Sequence, residues 1–328
     1  MRKRLFDDTG VSVSEIGLGA WQLGGTEWGD ISEEDSLLTL RAAVENGITF
    51  FDTADVYGLG RSEKLIGKFL KDSSEEIFVA TKLGRFPTPG WPQNFSLQAF
   101  RAHAEASLRR LGVDVLDLLQ LHCLPIEVLR QGEVFEWLRE LRQEGKIRHF
   151  GVSVESMAEA QVSIEQPDLT SLQIIFNIFR QKPIAALFDQ AQAQKVALIV
   201  RLPLASGLLS GRYTKDTKFP ASDHRTFNRN GESFNVGETF AGLPFETGVE
   251  LTEALRPLLP QGMTMAQMAL RWILDYEPVS VVIAGVRNAP QAMGNAQASE
   301  LPPLSTELHE TLQAFYEKEV AMNIRGPY

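Results

Sequence analysis

The sequence predicts a (β/α)8 TIM barrel with an N-terminal β-hairpin and a long loop after the seventh strand. Three observations lead there. Short apolar runs alternate eight times with amphipathic segments, no Gly-rich turn completes a dinucleotide fingerprint, and one long aperiodic stretch follows the seventh run. The opening reads as the hairpin, Lys3–Phe6 and Val11–Ser14 turning at Asp8-Thr9-Gly10. The runs are Glu15–Leu18, Thr49–Phe51, Ile77–Thr81, Val115–Leu121, Ile147–Val152, Leu172–Ile175, Ala197–Arg201 and Ser280–Ala284. Helical patterns between them carry start signals: Ser32-x-x-Asp35, Ser156-x-x-Glu159 and Thr264-x-x-Gln267 have the spacing of capping boxes. Ala99–Leu111 repeats apolar residues at helical spacing, with Arg109 and Arg110 near its end, where cations suit the helix dipole.

Strand–helix units rich in Val, Ile, Leu and Phe imply a parallel sheet covered by helices, and eight such units close a barrel. The competing open, doubly wound sheet normally carries Gly-x-Gly-x-x-Gly after its first strand. Here Gly17-x-Gly19 is followed by Gln22, and Gly58-x-Gly60 by Glu63. From Ser206 to about Phe245 the chain is rich in Gly, Asn, Asp and Pro, punctuated by Tyr213, Phe219, Phe227, Phe234 and Phe240. After a seventh strand such a segment sits at the C-terminal face, where barrel enzymes keep their active sites, so a lid or substrate loop is expected.

The 328 residues fit one barrel, and a single domain over 1–328 is expected. A net charge of −10 disfavours nucleic acid and anionic membrane surfaces as partners, while leaving room for a local phosphate pocket. The lone cysteine, Cys123, cannot form an intrachain disulfide, which fits a reducing compartment. The charged start lacks the apolar run of a signal peptide, and no window approaches the ~20 apolar residues of a membrane span, so the cytoplasm is the expected location. The oligomeric state is left open.

Polar residues close three of the runs where hydrophobic patterning does not require them: Asp52 after Phe50-Phe51, Lys82 after Ala80-Thr81, and His122 after Gln120-Leu121. Strand residues two apart share a face, so inward-facing strands bring these three side chains together at one end of the barrel. A buried charge needs a partner, and Asp52 with Lys82 supplies one. Tyr57 lies close enough along the chain to fold back over them. A nearby ammonium lowers a phenol's pKa, which makes Tyr57 a candidate proton donor, with His122 beside a carbonyl oxygen. Taken singly, each has a plainer role: a turn carboxylate, a packing ring, a surface ammonium.

The segment Asn46-Gly-Ile-Thr-Phe-Phe-Asp-Thr-Ala-Asp-Val-Tyr-Gly58, with Ser62-Glu63 after it, resembles the principal signature of the aldo-keto reductase superfamily. The resemblance continues through Leu118–His122, Gly151-Val-Ser153, Gln173 with Asn177, Pro203-Leu204 and Gly285–Asn295, in the family's order. It implies a catalytic tetrad of Tyr57 as general acid/base, Lys82 lowering its pKa, Asp52 holding Lys82, and His122 at the carbonyl oxygen. It also implies hydride transfer from a nicotinamide to a small carbonyl substrate.

For the cofactor, Ser153 and Gln173 match family positions that hold the nicotinamide carboxamide. Leu204 lies in the matching loop, and Gly285, Arg287, Gln291 and Asn295 in the adenosine-phosphate segment. An Arg287 fork on a 2′-phosphate favours NADPH over NADH, though Arg287 also reads as a solvated residue at a helix start. The chain departs from the family at Val154, where an Asn is common, at Arg201, where an aromatic often stacks on the nicotinamide and a guanidinium can stack in its place, and at Gly294, where a Glu often reads adenine. No metal site is expected: the histidines show no ligand spacing, and alternation turns His122 and Cys123 to opposite faces. Trp21, Trp28 and Trp91 are candidate pocket walls. Asp223, His224, Arg225 and Arg229 either bind an acidic substrate group or anchor the long loop. Two other readings use the same residues: an aldolase-like Schiff base on Lys82, and a regulatory dinucleotide-binding subunit without turnover.

Overall fold

The computed structural model describes residues 1–25 and 27–328, and for Asp8 the backbone alone. Strands β1 (Lys3–Leu5) and β2 (Ser12–Ser14) pair antiparallel, Arg4 opposite Val13. They are shorter than the sequence implies because Phe6 leaves the ladder. Its ring drops into the barrel floor, 5.7 Å from Phe50 and 5.2 Å from Phe78. The hairpin therefore plugs the barrel from below.

Eight parallel strands close the barrel: β3 (Ile16–Gly19), β4 (Phe50–Asp52), β5 (Phe78–Leu83), β6 (Leu116–His122), β7 (Ile147–Ser153), β8 (Ser171–Ile175), β9 (Ala197–Arg201) and β10 (Val279–Gly285), which returns to β3. The pleat divides each strand between two cores. Phe50, Phe78, Ala80, Leu118, Ala197, Ile199, Val281 and Ile283 join Phe6 and Val13 in the lower interior. Phe51, Val79, Leu83, Leu119, Leu121, Phe150, Val152, Leu172, Ile174, Leu198 and Val200 face the helices. Continuing the inner face toward the C-terminal ends gives Asp52, Lys82, Gln120 and His122, and by the same alternation Ser153, Gln173 and Arg201. Register aligns them: Lys82 pairs with Gln120, His122 with Ser153, and Ser153 with Gln173. The upper barrel is thus a polar layer on an apolar floor.

The helices begin where the caps place them. Ser156 and Thr264 form complete capping boxes, whereas Ser32 accepts the Asp35 N–H without the reciprocal bond. The helix Leu97–Leu111 ends on Gly112 at φ 70, a left-handed position that suits glycine. The stretch from 202 to 244 is built of single turns, Ala205–Ser210, His224–Phe227, Val236–Glu238 and Phe240–Gly242. Left-handed backbone at Ser206, Gly207, Phe240 and Ala241 interrupts them, which is why no periodicity marks the segment. The C-terminal Arg325 ties this segment down, donating to the carbonyls of Gly242, Leu243 and Arg229. No described helix is long and apolar enough to cross a membrane.

Candidate active site

The four residues singled out in the sequence meet at the top of the barrel. Lys82 is fully buried and spends its three N–H donors on Asp52 Oδ1 at 2.5 Å, the Thr53 carbonyl at 2.8 Å and the Tyr57 hydroxyl at 3.4 Å. Asp52 is held from its other side by amide donors from Gln173, at 2.7 Å to Oδ2, and from Gln120, at 3.3 Å. The His122 ring stands edge-on to Tyr57 at 5.8 Å, and Trp21 stacks on Tyr57 at 5.9 Å and 20°.

The electrostatics follow from burial and these contacts. Burial works against the Lys82 cation, but Asp52 and Tyr57 outweigh it and its pKa rises. Burial drives His122 well below its ordinary value, helped by Arg85, Lys82 and Arg201, so its imidazole is neutral and keeps one N–H donor. For Tyr57 the sequence expectation is corrected. Burial raises the phenol more than Lys82 lowers it, so the hydroxyl is a firmly protonated acid.

Above these residues opens a cavity of about 1410 Å³, larger than the roughly 300–1,000 Å³ that holds one drug-sized ligand. Ser153, Gln173, Arg201, Leu204, Gly285, Arg287, Gln291 and Asn295 all line it, together with the tetrad members Asp52, Tyr57 and His122. Ser153 donates to Gln173 Oε1 at 3.4 Å. Gln291 accepts the Arg287 N–H at 2.8 Å, and Arg287 reaches the Asp30 carbonyl at 3.3 Å, bringing the loop after β3 against that end of the cavity. Gly285 lets the Gln22 amide lie against the strand end: a Cβ there would stand 2.1 Å from Gln22 Nε2 and force that side chain to move. Gln22 Oε1, His122 Nδ1 and Arg201 Nε are buried without a hydrogen-bond partner among the described residues, and all three side chains line the cavity. Unmet buried polar atoms around so large a space fit a polar ligand such as a dinucleotide.

Comparison with known proteins agrees with this geometry. The model of the Aldo/keto reductase family matches residues 15–317. The chain belongs to that family. It is an oxidoreductase family that uses nicotinamide cofactors on small carbonyl substrates. Aldo-keto reductase YhdN of Bacillus subtilis is 33% identical over 301 residues, 87% of this chain and 84% of that protein. Among solved structures, the holo form of aldo-keto reductase AKR11C1 from Bacillus halodurans superposes with a TM-score of 0.78 at 29% identity, covering 96% of each chain. Glycerol dehydrogenase AKR11B4 from Gluconobacter oxydans gives 0.76 at 26% identity, over 99% of this chain and 98% of that one.

Against this family background some expectations hold and others change. Arg201 does not lie free for stacking: its guanidinium donates to the Val154 carbonyl at 3.0 Å and pairs with Glu238 at 3.5 Å. Asp223, His224 and Arg225 anchor the loop rather than offering a charge. Arg225 is paired to Asp223 at 2.6 Å and packed over Trp28 and Phe219, and the His224 N–H donates to the Glu27 carbonyl. Arg229 lies over the Phe245 ring and donates to the Arg225 carbonyl. Trp21 and Trp28 line the cavity as expected, whereas Trp91 is 60% exposed and packs on Phe95. Cys123 does not turn away from the site. Its φ of 54° breaks strand alternation, and Sγ comes within 3.5 Å of Ser153 Oγ and 3.6 Å of Arg201.

Sequence reasoning missed a charged cluster beside the tetrad. Arg85, just past β5, donates to Glu155 at 2.7 Å and to Glu238 of the long loop at 3.3 Å. Cys123, Glu155 and Glu238 offer ligand atoms within 4.8 Å of one another, but the Arg85 and Arg201 guanidiniums already neutralise both carboxylates. Burial and the Glu238 charge push Glu155 up to about 7. At Glu238 burial is outweighed by Arg85 and Arg201, which hold it down at about 2. Also missed were Ser206, on left-handed backbone, with Ser210 and Arg212, all three of which line the cavity.

Proposed function

We propose that this protein, as a single domain over residues 1–328, reduces an aldehyde or ketone to the alcohol with NADPH in preference to NADH, and that Tyr57 protonates the carbonyl oxygen. The observation that carries this reading is the chain Asp52–Lys82–Tyr57, in which a buried, fully satisfied ammonium points its third donor at one phenol. A bound reduced nicotinamide supplies the hydride that reduces the carbonyl carbon. Tyr57 gives its proton to the oxygen, Lys82 stabilises the phenolate left behind, and solvent water returns the proton. Neutral His122 donates a hydrogen bond to the same oxygen, orienting the carbonyl without competing as an acid. Ser153 and Gln173 would hold the carboxamide of the cofactor. Arg287, at the far end of the cavity, would hold its 2′-phosphate through the planar guanidinium, which is the basis for preferring NADPH.

A Schiff-base role for Lys82 is opposed by the same geometry. An amine nucleophile must be neutral, and Asp52 at 2.5 Å keeps this one charged. The cytoplasm is the proposed location, resting on a single cysteine in a chain with no membrane-length apolar helix among the described residues. The test is loss of reduced-nicotinamide absorbance with NADPH and a panel of aldehydes, using Tyr57→Phe as control. Turnover in the wild type with a loss of about 10²-fold or more in the variant supports the assignment. Equal turnover in both removes Tyr57 as the acid, and no turnover with any carbonyl removes the reductase reading.

A further inference from the structure

Tyr57 stands on the turn between β4 and the helix Arg61–Asp72, where no strand register fixes its height. Its link to Lys82 is the longest of the three that the ammonium makes, 3.4 Å against 2.5 and 2.8 Å. A hydrogen bond of that length is near its limit, so a small displacement of either residue breaks it. Three segments must keep their spacing: Thr53, whose carbonyl takes Lys82, Tyr57 itself, and Ala20, which precedes the Trp21 ring stacked on Tyr57. Ser62 bonds to all three. The Thr53 hydroxyl donates to Ser62 Oγ at 2.7 Å, Ser62 Oγ donates to the Ala20 carbonyl at 3.2 Å, and the Ser62 N–H donates to the Tyr57 carbonyl at 3.2 Å. That last donor belongs to the first helical turn and has no partner inside the helix, so the Tyr57 carbonyl caps the helix and is fixed by it. Packing leaves little slack: a Cβ on Gly24 would stand 2.7 Å from Ser62 Cβ and 2.9 Å from Tyr57 Cβ.

We propose that Ser62 is a positioning residue for the proton transfer: its hydroxyl ties the Lys82 and Tyr57 segments together and keeps ammonium and phenol within hydrogen-bond reach. This rests on the reductase reading above. Ser62 lies outside the cavity lining, so it acts through Thr53 and Tyr57 rather than on cofactor or carbonyl. Filling space at the helix start would need only the volume of a small side chain. Here the hydroxyl accepts from one named partner and donates to another, which an alanine of nearly the same size cannot do. Thr53 is fully buried and Ser62 is 1% exposed, so water has no ready access to replace a lost hydroxyl. Removing that oxygen strands a buried donor on Thr53. The Ala20 carbonyl keeps the Leu23 N–H at 3.1 Å but loses its tie to the Tyr57 turn.

The experiment measures KM for NADPH, and kcat/KM for the aldehyde that the wild type turns over fastest, in H2O and in D2O. It compares the wild type with Ser62→Ala, Thr53→Val and the double variant. Ser62→Ala should lose about 10-fold in kcat/KM for the aldehyde, with KM for NADPH within about 2-fold. Thr53→Val keeps the side-chain shape and the carbonyl that takes Lys82, and should lose activity in the same direction. The double variant should match Ser62→Ala, because both changes cut one chain. In each variant the solvent isotope effect on kcat/KM should rise, since the slowed step is transfer of the Tyr57 proton. A smaller folded fraction lowers the rate without moving that effect. Unchanged kcat/KM, an isotope effect that does not rise, a KM for NADPH that climbs with the loss, or losses that add in the double variant would each overturn the inference and leave the reductase intact. Thr53→Val alone decides the matter if Ser62→Ala does not fold. Failure of the wild type to oxidise NADPH with any carbonyl would instead overturn the reductase reading, and this inference with it.

Discussion

Replacing Lys82 by Met tests whether the ammonium is there for chemistry or for structure. Methionine keeps most of the side-chain volume, so the change is chiefly electrostatic. Asp52 would retain the amide donors of Gln120 and Gln173 on Oδ2 but lose its partner on Oδ1, in a site where the residue is 2% exposed. Breaking a buried pair by removing one partner costs about 3–5 kcal/mol, and the two surviving amide bonds place this case near the lower figure. Folded domains hold about 5–15 kcal/mol in all, so the variant should still fold, with a visibly lower denaturation midpoint. Adding Asp52→Asn removes the stranded carboxylate. The double variant should recover to within about 1 kcal/mol of the wild type, because replacing both partners of a buried pair is close to neutral.

Activity should not follow stability back. Without the cation the phenolate of Tyr57 has no counter-charge, and loss of a positioned proton donor costs roughly 10²–10⁴-fold in rate. The single and double variants should therefore share a deficit of about 10³-fold in kcat. Equilibrium urea unfolding followed by circular dichroism, beside NADPH oxidation at saturating aldehyde, measures both quantities on the same samples. A double variant that regains activity along with stability would show that Lys82 acts only by neutralising Asp52, and the proton-donor argument would fail.

Tyr57 must be protonated to act, so activity holds below its pKa and is lost as pH rises through it. With burial raising that pKa and His122 already neutral, kcat for reduction should be level between about pH 8 and 9.5, and a falling limb there would refute the assignment. Asp55 is fully buried, and burial followed by Glu63 raises its carboxyl from 3.8 to about 8. A raised pKa gives stability that is full below the unfolded value and lost as pH climbs to the folded one, about 1.4 kcal/mol per pH unit. Asp55→Asn should therefore gain on the wild type between about pH 5 and 8, and an equal difference at both ends would contradict the burial argument. Arg287→Ala should raise KM for NADPH by about 10-fold with little change for NADH, as expected for one charged hydrogen-bonding partner of a phosphate. Equal effects on both cofactors would remove Arg287 from the 2′-phosphate.

The barrel could be read from the chain because a parallel strand buried on both faces carries a strong signal of its own. Phe78 and Ala80 against Val79 and Leu83, or Leu118 against Leu119 and Leu121, are divided between two cores by alternation alone. A polar residue two positions further on has only one place to go, so Asp52, Lys82 and His122 were visible as a group. The failures lie where alternation stops. Cys123 follows the last strand residue, but its left-handed φ swings the thiol to Ser153. For Arg225 and Asp223 the sequence leaves two roles, loop anchor or acidic-group site, and packing against Trp28 and Phe219 decides for the anchor. The sign of the Tyr57 shift was missed for the same reason: a neighbouring cation can be guessed from sequence, whereas the depth of burial that outweighs it cannot.

The same distinction separates reaction from specificity. Asp52, Lys82 and His122 come from three adjacent strands, where hydrogen-bonded register holds each side chain at a fixed height in the barrel, and Tyr57 from the turn just beyond β4. What borders them is assembled over longer range: Arg85 meets Glu238 across 153 residues of chain, and Glu238 arrives on a segment made of single turns and left-handed residues. Such a segment is held by tertiary contacts, the Arg325 bonds to Gly242 and Leu243 among them, rather than by its own periodicity. A change in that segment can therefore move Glu238 relative to Arg85 without disturbing the Lys82–Asp52 pair. Substitutions in residues 206–245 should accordingly alter which carbonyls are accepted before they alter the proton transfer itself.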